Sequence, residues 1–290
     1  MVYTALMVYF DGTPGAHARL RVAVDLADRF RAALIGIAAP PYLPSSELGM
    51  ADALGKLESE FRAGAKHVQT VEWRGQLVWA GVLVPQEARA ADLVVIGRAR
   101  RSWDMLDAND PATIILRAGR PVLFVPEGVD SLPAQRVVIA WKESPEARRA
   151  VRDALPFLKL AKEIAIVTVN QDSVRSQSEC DDIGNYLGRH GVIIGLKALL
   201  DTKGLPSAEI LRFADKEQAD LIVAGGYGRS ELGEWVFGGV RAICSTLARC
   251  VACSRIEPSR VVARGEAELL RANARHFDRR SRRRRQPDGF

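Results

Sequence analysis

Short apolar runs alternate along the chain with longer stretches in which apolar residues recur every three or four positions. The pattern is clearest after residue 136, where it predicts strands at Val137–Trp141, Ile164–Val169, part of Val192–Leu200, and Leu221–Ala224. Between them, amphipathic helices are predicted at Pro145–Lys159, Ser178–His190 and Ser207–Gln218. Strands this apolar leave no face for water, so they fit a parallel sheet covered by helices on both sides. Sheets of that kind bind ligands at the carboxyl ends of their strands.

The pattern occurs twice. "LMVYFDGTPGAHARLRVAVDLA" (6–27) parallels "VVIAWKESPEARRAVRDALPFL" (137–158), and "ADLVVIGRARRSWDML" (91–106) parallels "ADLIVAGGYGRSELGEW" (219–235). The two separations, 131 and 128 residues, are nearly equal, which is what a duplicated unit produces. The seam falls in the turn-rich, aperiodic stretch Glu127–Gln135. We therefore expect domains at 1–127 and 136–254, followed by a tail at 255–290. The first copy closes with a clear fifth strand, Pro121–Val125; its counterpart in the second is a weak candidate at Val251–Ile256.

Charge changes this picture only at the end of the chain. The tail holds eleven arginines against five acids, a net of +6 that equals the formal charge of all 290 residues. The body is thus formally neutral, unlike a basic-groove nucleic-acid binder, and the arginine run reads as a solvated, disordered end. No apolar run reaches the roughly 18–20 residues of a membrane span, and Asp11 interrupts what a signal peptide would keep apolar. The expected location is cytoplasmic, with no membrane or nucleic-acid partner. Cys180 stands alone, while Cys244, Cys250 and Cys253 lack a second pair, so no metal site is assigned.

Candidate chemistry centres on "GGYGRSELGEWVFGGV" (225–240). Gly225 ends a predicted central strand, and Gly238–Gly239 precede the predicted helix "VRAICSTLA". Backbone N–H groups in a glycine loop and at a helix N-terminus make an anion site suited to phosphate. The loop is neither a Walker sequence, since Glu234 and Trp235 stand where Lys and Ser/Thr belong, nor GxGxxG. The alternative reading is that these glycines only permit tight turns and close helix packing. Arg229 and Ser230, directly after Gly228, are the side chains best placed to meet phosphate. Trp141 and Trp235 read as packing residues, and His190 as a helix-end residue before Gly191. His17 and His67 have no sequence neighbours that compose a triad, and no catalytic residue is assigned.

The spacing Gly225-x2-Gly228-x9-Gly238-Gly239 after "DLIVA" resembles the nucleotide-binding signature of the universal stress protein family. The first strand and helix of the second copy are similar to those of tandem members, and the resemblance spans about residues 1–248. It implies an α/β, Rossmann-like fold: two copies of a five-stranded parallel sheet of order 3-2-1-4-5 with helices on both faces. It further implies ATP with its accompanying magnesium, held by Ala224, Gly225, Gly228, Gly238 and Gly239, with Val169 against the base. Two positions depart from the signature. Lys142 replaces an accepting aspartate and can only donate hydrogen bonds; Gly239 replaces a hydroxyl residue, at a loss of about 1 kcal/mol.

The first copy departs the other way. It keeps Asp11, but Arg100 replaces the second loop glycine and Asp110-Pro111 replaces the last pair, removing a donor and adding repulsion. This copy is expected to pack against the second rather than bind ATP. The resemblance implies a stress-response regulatory module rather than an enzyme, acting through intramolecular domain pairing, a homodimer or a regulatory protein partner. The alternatives are a nucleotide-independent interaction protein with both sites degenerate, and an enzyme of the adenine-nucleotide alpha-hydrolase group. Against the last stands the lack of a Ser-Gly-Gly loop after either first strand.

Overall fold

The computed structural model describes residues 2–39, 47–78, 80–97, 111–169, 173–200, 206–225 and 250–254, all within one compact unit, Met1–Ile256. In chain order the first half contains β1 (Ala5–Tyr9), α1 (Pro14–Phe30), β2 (Ala33–Ala38), α2 (Glu47–Gly64), β3 (Val71–Gly75), α3 (Ala80–Glu87), β4 (Leu93–Gly97), α4 (Pro111–Ala118) and β5 (Val122–Val125). The second contains β6 (Arg136–Trp141), α5 (Pro145–Asp153), α6 (Leu155–Leu158), β7 (Glu163–Val169), α7 (Ser173–Arg189), β8 (Leu196–Leu200), α8 (Pro206–Lys216), β9 (Leu221–Gly225) and β10 (Cys250–Ser254).

The ten strands form one sheet of order β3-β2-β1-β4-β5-β10-β9-β6-β7-β8. Each half is parallel and repeats the order 3-2-1-4-5. The halves meet where β10 runs antiparallel to β5, pairing Val251 with Phe124 and Cys253 with Val122. On its other side β10 runs parallel to β9 from Cys250 opposite Leu221 to Ser254 opposite Gly225. The sequence marks this strand as weak, yet it is paired along both edges. Its composition matters less than its position between two apolar strands that both need partners.

The core lies in two layers. One face carries α1, α2, α5, α6 and α7, with Leu26, Phe61, Phe157 and Leu187 fully buried; the other carries α3, α4 and α8, with Leu83, Ile115 and Ala214. Strand residues alternate between the layers, as period-2 geometry requires: Val137, Ile139 and Trp141 face the first, Val138 and Ala140 the second. An aromatic cluster on the first face crosses the seam. Tyr3 packs edge-on against Phe30 at 5.1 Å and Phe157 at 5.6 Å, and its hydroxyl donates to the Asp153 carbonyl at 2.5 Å. Burial raises the Tyr3 pKa further above its ordinary value, so the phenol stays a neutral donor.

Residues 126–135, the turn-rich seam, are irregular but packed: Leu132 and Ala134 are buried. Arg29 of α1 donates to the carbonyls of Leu132 and Pro133. The helix expected at Pro145–Lys159 is broken at Ala154 into α5 and α6. Pro156 supplies the reason, since it has no N–H for the Arg152 carbonyl and its ring would strike that carbonyl in a continuous helix. Helix α7 begins at Ser173, five residues before the expected start, and ends before His190 and the left-handed Gly191 (φ 75°).

One device recurs in both halves. Asp92, just before β4, accepts from the Thr4 amide (2.7 Å), the Thr4 hydroxyl (2.8 Å) and the Ala5 amide (3.1 Å). Asp220, just before β9, accepts from the amides of Gln135 (2.9 Å) and Arg136 (3.2 Å). Each carboxylate fastens the start of its fourth strand to the start of its first. Partial burial alone would raise the Asp92 pKa, but the bonds from Thr4 and Ala5 outweigh it and hold the carboxyl below its ordinary 3.8.

Two predictions follow from this packing. A lowered folded-state pKa contributes stability above the ordinary value and loses it as pH falls through the lower one. Asp92→Asn should therefore lower the urea midpoint at pH 7, with the gap from wild type closing only as pH drops below 3.8; a gap independent of pH would refute the role of the charge. Phe157→Ala, at a fully buried position, should cost about 3–5 kcal/mol in urea unfolding.

Candidate functional site

The candidate site forms where the chain reverses direction across the second half. From β6 the order continues through β7 to β8 on one side, then returns to β9 on the other. At such a switch point the connections leave in opposite directions and open a crevice at the carboxyl ends. Trp141 pairs with Thr168 and Ala140 with Ala224. Lys142, Val169, Ala224 and Gly225 thus lie at one edge of three adjacent strands, β9-β6-β7, a span of about 10 Å at ordinary strand spacing.

These four residues divide between the sheet faces. Ala224 is buried in the α8 layer and Val169 packs half-buried against it. Gly225 faces α5. A Cβ at Gly225 would come within 2.6 Å of the Ala147 nitrogen and 2.9 Å of the Ala147 Cα and Glu146 carbonyl carbon. These are backbone atoms of the first turn of a helix, and they cannot swing aside as a side chain could. Gly225 is required by this close approach, whatever the loop beyond it holds.

The first turn of α5 is built by a standard start signal. Ser144 caps it by accepting from the Ala147 amide at 3.1 Å, and Pro145 occupies the first helical positions. The Ala147 N–H is thereby committed to Ser144. Glu143 pairs with Arg148 at 2.8 Å and Glu146 with Arg149 at 3.1 Å. Two carboxylates therefore accompany the positive end of the helix dipole. Lys142 is exposed beside them. Trp141 is buried, and its indole Nε1 has no hydrogen-bond partner among the described residues.

The first half has the same frame with different contents. Thr13 caps α1 by accepting from the Ala16 amide at 3.2 Å, and Pro14 follows it. Asp11 accepts from the Thr13 hydroxyl at 2.7 Å and the Thr13 amide at 3.3 Å. Arg19, on the buried face of α1, donates through Nε to the Tyr9 carbonyl at 2.8 Å, and its Nη2 lies 3.6 Å from Asp11 Oδ1. Burial lowers its pKa, against the raising effect of Asp11.

Of the residues assigned from sequence, the structure brings together Lys142, Val169, Ala224 and Gly225. Gly228, Arg229, Ser230, Gly238 and Gly239 lie outside the described residues, as do Arg100, Asp110, Trp235 and the helix expected after Gly239. His17 lies 3.5 Å from Glu60 and edge-on to Phe10; His190 packs against Tyr186. Among the described residues, no three His, Cys, Asp or Glu side chains converge as metal ligands, and no helix is long and apolar enough to cross a membrane. Sequence reading missed Arg19, whose only signal was a charge on the apolar face of α1. It also missed the paired aspartates, although the repeated "ADL" carries them.

No known family pattern and no curated protein matches the sequence. Solved structures do. The crystal structure of a universal stress protein from Archaeoglobus fulgidus DSM 4304 superposes with a TM-score of 0.69 at 17% identity, covering 87% of this chain and 96% of that one. A functionally unknown protein from Pseudomonas aeruginosa PAO1 gives 0.56 at 14% identity, covering 87% and 92%.

The packing at Gly225 yields a direct prediction. Gly225→Ala should destabilise the protein by about 1–3 kcal/mol through overpacking against α5, read as a lower urea midpoint. A neutral effect would show that the α5 turn yields. With ten strands in two 3-2-1-4-5 halves and near-complete superposition on the archaeal structure, the chain has the fold of a universal stress protein.

Proposed function

We propose that the chain is a tandem universal stress protein, with domains at 1–127 and 136–254, working in the cytoplasm as a regulatory binding module. Its ligand in this reading is ATP with magnesium, taken by the second domain. The observation that supports it most is the convergence of Lys142, Val169, Ala224 and Gly225 at the switch-point edge of β9-β6-β7. A half-buried apolar side chain there suits a base, and an exposed lysine suits phosphate. Gly228, Arg229, Ser230, Gly238 and Gly239 would complete the phosphate contacts, with magnesium shielding the phosphate charge. Binding would change the surface offered to a partner, to the extent that ATP favours one state over the other. The role assigned in this reading is binding, with any ATP hydrolysis slow or incidental.

A second reading rests on Gly225 itself. Its glycine is accounted for by the α5 backbone alone, and the adjacent helix turn carries Glu143 and Glu146. This favours an interaction protein that needs no nucleotide. Calorimetry with magnesium-ATP separates the two. The first reading expects saturable binding, lost in Gly228→Asp and kept in Asp11→Ala. Absence of binding at millimolar ATP would sink it in favour of the second.

A further inference from the structure

The two halves close the same position by different means. The matching segments 6–27 and 137–158 place Ala150 where the first half has Arg19, and Gly225 where it has Gly97. The caps confirm the alignment, with Thr13-Pro14 and Ser144-Pro145 in the same roles. In the second half the α5 backbone itself reaches Gly225. In the first, the atoms nearest a Cβ built on Gly97 belong to the Arg19 side chain: Nη1 at 2.0 Å and Cζ at 3.1 Å, then the Val125 carbonyl oxygen at 3.6 Å. The guanidinium therefore occupies the space between the first helix and the fourth strand, at the carboxyl ends of β1 and β4.

Structural support alone does not call for arginine here. Ala150 shows that the frame closes with a methyl group, and a buried charge is costly unless fully paired. Arg19 is only partly paired. It is 4% exposed; its Nε bonds Tyr9, but among the described residues Nη2 has no hydrogen-bond partner, and Asp11 lies at ion-pair rather than hydrogen-bond distance. The Asp11 carboxylate, fixed by Thr13, and the Tyr9 carbonyl and ring form a receptor for a planar cation, with Cζ 5.8 Å from the ring centroid.

We propose that Arg19 is an internal ligand: its guanidinium fills the strand-end crevice of the first half, forms an ion pair with Asp11 there, and closes that half to external ligands. The inference holds whatever the second half binds. It also assigns Gly97 a role, since only a residue without a side chain leaves room for the guanidinium.

The test uses the full chain and methylguanidine as a stand-in for the lost group. In Arg19→Ala, methylguanidine should raise the thermal midpoint in a saturable manner, while equal methylammonium should not, and neither should raise that of wild type. Gly97→Ala should lower the midpoint in the wild-type background and do so much less in Arg19→Ala, where its Cβ keeps only an ordinary contact with the Val125 carbonyl oxygen at 3.6 Å. An unresponsive Arg19→Ala, an equal response in wild type, or the same Gly97→Ala loss in both backgrounds overturns the proposal. Should Arg19→Ala not fold, the wild-type Arg19 Nε–H decides by NMR: slow hydrogen exchange is expected for the bond to Tyr9, and exchange at the rate of a solvated arginine overturns it.

Discussion

Everything else in the body of the chain depends on the antiparallel ladder between β5 and β10. A parallel half-sheet of order 3-2-1-4-5 ends on its fifth strand, and β5 is buried throughout. Left alone, such a strand would present unpaired N–H and C=O groups and an apolar edge, which is both costly and prone to pair with another chain. Pairing β5 with β10 removes that edge from both halves at once. It also fixes their relation: with the fifth strands antiparallel, the carboxyl ends of the two half-sheets point in opposite directions. The candidate site of the second half and the Arg19 crevice of the first therefore open at opposite ends of one sheet.

The seam is reinforced away from the ladder. Tyr3, from the start of the first half, packs into the second through Phe157 and the Asp153 carbonyl, and Arg29 holds the connecting segment against α1. Such contacts couple the two halves. An aromatic cluster spanning both halves lets neither lose its core without exposing part of the other's, which is the condition for unfolding as one unit.

The sequence made the α/β class, the repeated strand order and most strand cores legible, because these depend on periodicity and on apolar runs that tolerate little substitution. Strand ends at Trp141 and Val169 were readable for that reason. Failures came where a single residue or a distant partner decides the outcome. Pro156 splits a helix that periodicity alone would continue, and β10 is a strand because β5 and β9 flank it, not because "CVACS" prefers to be one. For the site, position along the strands was legible and the contacts were not. The glycine pattern announces Gly225, but only the structure shows that the backbone of α5 requires it.

This distinction bears on how a signature is read. Gly97 and Gly225 hold equivalent positions at the ends of β4 and β9, and a motif treats them alike. One makes room for a helix backbone, the other for a guanidinium carried by α1. A glycine at a strand end is thus evidence of close approach, and the approaching group carries the functional information. In the first half that group is a cation facing Asp11, so the aspartate retained from the signature is already engaged by Arg19. In the second half, alanine replaces arginine and lysine replaces aspartate, removing both members of the pair. There the α5 backbone, rather than a side chain, closes on the strand-end glycine. Two strand ends of one frame are thus closed by different groups, a side chain in one and a helix backbone in the other.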